Sequence, residues 1–220
     1  PENFIQPVTD RQQCFTCHRT VTGKRKLSKC SKCHAITYCG AKCQKADWPR
    51  HRWNCIPVMV TEYEGKGRGV MAARDIKMGE VIFIDKPVVK VKMPSGELSL
   101  AEAAEEVEEV IPPSLKLQIE NLSSEAKLQI DKFVKTSYLC VKDKLPEDLK
   151  YFSDHIEGIK ELGLFATHSK TIDGWGVIFL NVALINHSCA PNATSETIQK
   201  DGDTWYEIRA FKDISKGEEI

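Results

Sequence analysis

Seven of the nine cysteines fall before residue 56, and they come in close pairs: Cys14-x2-Cys17, Cys30-x2-Cys33, Cys39-x3-Cys43, and then His51-x3-Cys55, where a histidine opens the pair. Thiolates and an imidazole at such short separations can wrap one tetrahedral zinc, with Zn–S near ~2.3 Å, so eight ligands imply two zinc ions. A disulfide framework would need an oxidising compartment and explains neither the close pairing nor the histidine. Spacing alone leaves open which pairs share an ion. With little apolar core of its own, a domain this small owes much of its fold to the metal. His18 and His34 adjoin ligands, but the eight positions are already filled, and both are expected at the surface.

A second polar constellation is the stretch Ala183 to Ala193, in which Asn186 and His187 follow an apolar run and precede Ser188, Cys189, Pro191 and Asn192. Polar groups at the exit of a buried strand are where a cofactor pocket is usually built, although Pro191 and Asn192 alone would suit an ordinary turn. More than a hundred residues earlier stands Gly65-Lys66-Gly67-Arg68-Gly69-Val70, read as a basic glycine-rich turn. Its glycines permit close backbone approach to a ligand, and its cations would favour a carboxylate.

Taken with Ala73-Arg74-Asp75-Ile76, Lys77 to Phe83, Arg209 to Ile214 and Lys216-Gly217-Glu218-Glu219-Ile220, these segments resemble the SET-domain protein lysine methyltransferases. The segment from Tyr38 through Cys39, Cys43, Gln44, Trp48 and His51 to Cys55 resembles the MYND zinc finger, and that likeness covers residues 14 to 55. The MYND likeness implies interleaved ligands: Cys14, Cys17, Cys39 and Cys43 on one zinc, and Cys30, Cys33, His51 and Cys55 on the other. It also implies proline-rich peptide partners for the finger. The SET likeness implies S-adenosylmethionine as cofactor and a target lysine on a protein, histone or non-histone, as substrate. Lys66, Gly67, Arg68 and Gly69 would lie against the methionine part of the cofactor, and Asn186 and His187 beside it, with the His187 backbone reading the adenine edge. His168 stands where many SET-and-MYND proteins carry a cofactor-contacting Asn, so weak cofactor binding is expected.

Further implications follow from that likeness. The family's catalytic tyrosine comes a few residues after Gly-Glu-Glu, beyond Ile220, and this 220-residue chain is therefore expected to be inactive in methyl transfer. Cys189 would join a third zinc only with a post-SET cysteine cluster. The finger precedes the glycine-rich motif, an order similar to arthropod members of the family. The other reading is a catalytically silent SET-and-MYND scaffold acting in transcriptional repression through protein binding.

The charge pattern divides the chain near residue 60. Residues 1–60 hold 11 Lys/Arg against 3 Asp/Glu, and the remainder 20 against 28, for a formal net charge of zero. The expected domains are a finger over 1–60 and a SET domain over 61–220, with N-terminal strands (61–94), a helical insert (95–165) and the SET core (166–220). The overall balance speaks against a polyanion partner. The basic stretch Lys24 to Lys29 could touch nucleic-acid phosphates, but without interleaved aromatics it reads as a solvated loop. No apolar run is long enough for a transmembrane helix. The chain opens on Pro1 and stops inside a motif, so both ends read as trimmed, and work in nucleus and cytoplasm is expected.

The elements that must position these residues follow from periodicity. Val70–Ala72, Val81–Ile84 and Val88–Met93 read as short strands, as do Val177–Leu180, Val182–Ile185 and Trp205–Ala210. Between them helical spacing dominates: one helix through Leu100, Ala103, Ala104, Val107 and Ile111, carrying the acidic run 105–109 and stopped by Pro112-Pro113; a second after Ser123-Ser124 with Ile130, Phe133, Val134 and Ser137 on one face; a third from Pro146 to Gly163. Cys140 and His155 are expected to be structural. The fold class is α+β: a two-zinc finger followed by a SET-type β-fold with a helical insert.

Overall fold

The computed structural model describes residues 4–5, 13–22, 26–52, 55–92, 113–142, 164, 167–200 and 202–220. Two compact units are present, one formed by residues 1–86 with 184–220, the other by residues 87–183.

The first unit opens with two knuckles of the same construction. After each Cys-x2-Cys a histidine takes a left-handed conformation, His18 at φ 54° and His34 at φ 60°. Its N–H donates back to the first cysteine's carbonyl, His18 to Cys14 at 2.9 Å and His34 to Cys30 at 3.0 Å. This turn points both thiols of a pair the same way, which is what a shared ion requires. His18 is exposed and His34 half-buried, and neither joins a ligand cluster. Strands β1 (Ser28–Lys29) and β2 (Thr37–Tyr38) pair antiparallel around the second knuckle. Helix α1 (Ala41–His51) follows. Cys43, Asp47 and His51 recur at i, i+4 and i+8, so they share one face. The middle one is a buried carboxylate that accepts from the Tyr38 hydroxyl at 2.7 Å.

Strands β3 (Val58–Tyr63) and β4 (Gly67–Ala72) form a hairpin in register Tyr63 to Gly67. Its turn is Glu64-Gly65-Lys66, with Gly65 and Gly67 both at positive φ. The glycine-rich motif, expected to be a turn throughout, is therefore half turn and half strand: Gly67 to Gly69 already lie in the ladder. The finger shares its core with this hairpin, for Cys14, Cys30, Cys33, Ile36 and Tyr38 pack with Met59 and Ala73. The Ala73 N–H also donates to Pro57 O at 2.8 Å, and Arg74 Nε donates to Lys32 O, inside the second knuckle, at 3.0 Å.

A three-stranded sheet completes this unit, ordered β5 (Val81–Asp85), β10 (Asp203–Ala210), β9 (Ala193–Lys200). Two loops of like sequence, Ala72 to Ile82 and Ala210 to Ile220, are joined to each other almost as mirror partners. Each carries Asp-Ile-x-x-Gly-Glu. Ile76 and Ile214 exchange both backbone hydrogen bonds at 2.9 Å, Gly79 N donates to Ala210 O, and Gly217 N donates to Ala72 O. Asp75 accepts from Lys216 N at 2.8 Å and Asp213 from Met78 N at 2.9 Å. Each glutamate caps its own turn, Glu80 at Lys77 N and Glu218 at Ser215 N. The second loop then runs beside β4, with Ile220 N on Val70 O at 2.8 Å.

The second unit holds the sheet β6 (Val89–Lys92), β8 (Trp175–Ile178), β7 (Ser169–Ile172), in that order, and helices α2 (Pro113–Glu120) and α3 (Ser124–Lys142). Pro112-Pro113 reads in the sequence as a stop, but Pro113 opens helix α2, since proline is equally suited to a first turn. Gln118 on α2 bonds both the N–H and the C=O of Lys90, finishing the open edge of β6. Helix α3 begins after Ser123 as expected and buries Ile130 and Phe133, with Val134 half-buried. The expected helices through Leu100–Ile111 and Pro146–Gly163, with His155, lie outside the described residues, as does the side chain of Cys140.

One expected strand is absent. Val182–Leu184 is a 3-10 turn, entered through an i to i−4 bond from Ala183 N to Phe179 O at 3.1 Å. Strand β8 ends at Ile178, and the apolar run beyond it fits a buried turn as well as a strand. Asn186 and His187 thus follow a turn, in a loop leading to β9. No described helix is long and apolar enough to cross a membrane.

Candidate functional site: two metal clusters and a junction at Gly69

The eight ligands separate into two clusters, Cys14, Cys17, Cys39, Cys43 and Cys30, Cys33, His51, Cys55, each with its ligand atoms within 4.8 Å of one another. Tetrahedral geometry with bonds near 2.3 Å gives edges of about 3.8 Å between sulfurs. Cys17 and Cys39 Sγ lie 3.7 Å apart and Cys30 and Cys55 Sγ 3.8 Å apart, far beyond a disulfide bond. Cys39 and Cys43 approach to 3.4 Å and Cys33 Sγ to His51 Nε2 at 3.6 Å. The thiols and the imidazole are therefore already at the edges of two tetrahedra, and the residues fit two zinc ions. The interleaved pairing, which spacing could not choose, is the one the chain adopts. Among the described residues no third such cluster exists; Cys189 is exposed, with only His187 Nε2 nearby at 3.5 Å.

Burial pushes the His51 imidazole pKa down, which favours the neutral, metal-binding form. Tyr38 is held protonated, raised first by burial and then by the Asp47 carboxylate. Its hydroxyl can thus donate to Asp47 at all ordinary pH.

The second site lies at the far end of the β3–β4 hairpin. Asn186 Nδ2 donates to Glu219 Oε1 at 2.8 Å and lies 3.4 Å from Arg68 O. Lys66 Nζ binds the other Glu219 oxygen at 2.8 Å. Asn192, buried, donates to Glu218 Oε1 at 3.0 Å and to Glu219 O at 2.6 Å. Three segments far apart in sequence are thereby tied at one place. The Lys66 and Asn186 bonds hold the Glu219 carboxyl below the usual carboxylate range, and Asn192 with the Ser215 N–H does the same for Glu218. Burial pulls the Arg68 guanidinium down, with Glu62 opposing.

Gly69 is required here by contact. A Cβ on it would stand 2.6 Å from Asn186 Nδ2 and 2.8 Å from the Tyr63 ring. The Tyr63 hydroxyl is buried with no hydrogen-bond partner among the described residues. A buried glycine covered by Asn186 and the Tyr63 ring, an orphaned phenol, a cation and an amide thus come together at one place. Of the residues singled out from sequence, Lys66, Arg68 O, Gly69 and Asn186 lie together, Gly67 stands in the ladder opposite Tyr63, and His187 is next to Asn186 in the chain but exposed. His168 belongs to the other unit, with its ring 4.4 Å from that of Phe133. Glu219, Asn192 and Tyr63 were not singled out from sequence. The repeated Asp-Ile-x-x-Gly-Glu could have pointed to Glu218, while Glu219 lies outside the repeat.

Comparison with known proteins matches both parts of the chain. A family model of the SET domain matches residues 67–220, and one of the MYND finger matches residues 14–55. The N-lysine methyltransferase SMYD2-B of Danio rerio is 28% identical over 227 residues, covering 99% of this chain and 45% of that protein. The N-lysine methyltransferase SMYD2 of Homo sapiens is 27% identical over 233 residues, covering 99% and 46%. The chain spans less than half the length of these relatives. Among solved structures, a Chaetomium thermophilum Polycomb Repressive Complex 2 is 15% identical over 75% of this chain and 14% of that one, at a TM-score of 0.37, too loose to carry an argument. With the SET-domain match running over most of its length and a MYND finger ahead of it, the chain belongs to the SET-domain family in its SET-and-MYND arrangement.

Proposed function

We propose that the protein is an S-adenosylmethionine-dependent lysine methyltransferase whose cofactor lies in the cleft of Lys66, Gly67, Arg68, Gly69 and Asn186. The observation that carries this reading is the meeting of the glycine-rich hairpin with Asn186 around a glycine that cannot accept a Cβ. The likeness to N-lysine methyltransferases supports it. When bound, S-adenosylmethionine supplies a methyl group on a sulfonium, transferable to a neutral lysine amine. This chain's residues bind and orient: Lys66 offers a cation to the ligand's carboxylate, Gly67 and Gly69 let backbone approach it, and Asn186 with the His187 backbone serves the adenosine side. The substrate is a protein lysine, and the finger recruits proline-rich protein segments.

Radiolabelled methyl transfer to histones and to lysate proteins, by the full-length natural protein and its Asn186→Ala variant, tests the activity. Label on lysine that disappears in the variant is the expected result. Absence of label on every substrate, or equal label from the variant, overturns the reading.

A further inference from the structure

The Glu219 carboxylate spans the two side chains assigned to the ligand, with one oxygen 2.8 Å from Lys66 Nζ and the other 2.8 Å from Asn186 Nδ2. The Lys66 side chain is 58% exposed and Glu219 only 23%, so without a partner Lys66 would sample many rotamers in water. An ion pair this open adds little to fold stability. What it does is fix an ammonium at Glu219, 5.9 Å from the centre of the Tyr63 ring, with two of its three N–H donors unspent among the described residues. Glu219 itself is anchored through its backbone: its carbonyl accepts from Asn192 at 2.6 Å, and it bridges to Met71 on β4. The sibling loop shows that the arrangement is not a requirement of the turn. Its Glu80 caps the turn as Glu218 does, yet the residue after it is Val81. Glu219 is an addition to a loop that closes without it.

We infer that Glu219 is a positioning residue for the ligand's amino-acid end, holding Lys66 where it meets the carboxylate while keeping Asn186 turned to the adenosine side. The inference rests on the cofactor reading above. Each Glu219 oxygen has its own task, so two substitutions separate them. Glu219→Gln keeps an amide oxygen for Asn186 but offers Lys66 no charge. Glu219→Ala removes both.

The test is titration calorimetry on the zinc-loaded protein with two probes. S-adenosylhomocysteine carries the amino-acid end, and 5′-methylthioadenosine lacks it. Glu219→Gln should weaken S-adenosylhomocysteine on the order of tenfold, as expected for a misplaced charge-assisted hydrogen bond, and leave 5′-methylthioadenosine unchanged, with an unaltered melting temperature. Lys66→Met should weaken the same probe alone, and adding Glu219→Gln to it should cost nothing more, because the two act as one unit. Glu219→Ala should weaken both probes. Equal loss of both probes in Glu219→Gln with a lowered melting temperature would mean a structural role and overturn the inference, as would unchanged or tighter S-adenosylhomocysteine binding, or additive losses in the double variant. If the unsubstituted protein binds neither probe, the cofactor reading falls and this inference with it; if it binds both and Glu219→Gln is indifferent, the inference falls alone.

Discussion

The two zinc clusters have nearly the same ligands and opposite surroundings. In the first, Cys17 and Cys39 are exposed and Cys43 half-buried, with only Cys14 fully covered; in the second, Cys30, Cys33 and His51 are all buried and Cys55 half-buried. The difference comes from what each knuckle leans on. The second is gripped by β1 and β2, packs through Ile36 and Tyr38 against Met59 and Ala73, and receives the Arg74 guanidinium on its backbone. The first reaches outward from Cys14, its one buried ligand, which shares that core, and is tied on by Phe15 N on Thr37 O at 2.9 Å and by the Thr16 hydroxyl on Cys43 O at 3.0 Å. One metal thus staples a surface loop. The other is part of the core of the hairpin that carries Gly69, and through it bears on the ligand cleft.

Breaking each cluster in turn is the sharpest use of that contrast. Cys55→Ser should lower zinc from about two to about one per chain, and since structural zinc is worth ~10 kcal/mol or more to small zinc domains, hydrogen-exchange protection should fall across both the second knuckle and Gly69–Ala72. Cys17→Ser should lose the same amount of metal and leave protection of Gly69–Ala72 in place. Elemental analysis with hydrogen-exchange mass spectrometry reads both, and equal loss of β4 protection in the two variants would erase the distinction.

Next in size is Gly69→Ala. The added methyl meets Asn186 Nδ2 and the Tyr63 ring, and overpacking of this kind costs about 1–3 kcal/mol. Both zinc ions should stay bound while S-adenosylhomocysteine affinity drops more than about tenfold, since even a small misplacement of Asn186 is costly. Unchanged affinity would show that Gly69 does not line the cleft.

Arg74→Ala should have a smaller effect. It removes the bond to Lys32 O and the pair with Glu80, whose N–O contacts are 3.2 Å and 2.5 Å. A loss of about 1–2 kcal/mol is expected for such charged bonds at a partly open site. It should appear as a lower denaturant midpoint, with the second zinc released faster to a chelator than the first. If release of both is unaffected, Arg74 does not couple the knuckle to β4.

The smallest effect is with acid. Arg74 lowers the carboxyl of Glu80, Asn192 that of Glu218, and Lys66 that of Glu219. Groups with depressed folded values stabilise the fold above the ordinary carboxylate range and lose that contribution as pH falls through their lowered values. The part of the stability that these carboxylates contribute should therefore be constant from neutrality to about pH 5 and shrink below about pH 4, on top of the loss of zinc to protonation of its ligands, which is common to parent and variant. In Glu219→Gln the decline should be shallower, and an identical slope would show that Glu219 titrates alike folded and unfolded.

Much of this was legible in the chain because it is local. Cys-x2-Cys and His-x3-Cys announce metal by spacing alone, and β4, β5, β10 and α3 announce themselves by period. What failed was whatever depends on a partner elsewhere. The run at Val182–Leu184 is as apolar as a strand, but among the described residues no strand pairs with it. Strands β3, β7 and β9 are too polar or mixed to stand out before their partners are known; β9, largely exposed along Thr194–Thr197, is held by its ladder to β10. Pro113 could end one helix or begin another. Glu219 and Tyr63 acquire meaning only when Ile220 pairs with Val70 and brings the last loop to the first hairpin.

The central claim is that residues from both ends of this unit form one adenosyl-ligand site. Titration of the zinc-loaded protein with S-adenosylmethionine, beside Asn186→Ala, tests it most directly. The account predicts saturable binding at one site per chain, weakened at least about tenfold by the substitution while zinc content and melting temperature hold. Equal binding by the variant, or no binding by the unsubstituted protein with both zinc ions in place, would contradict it.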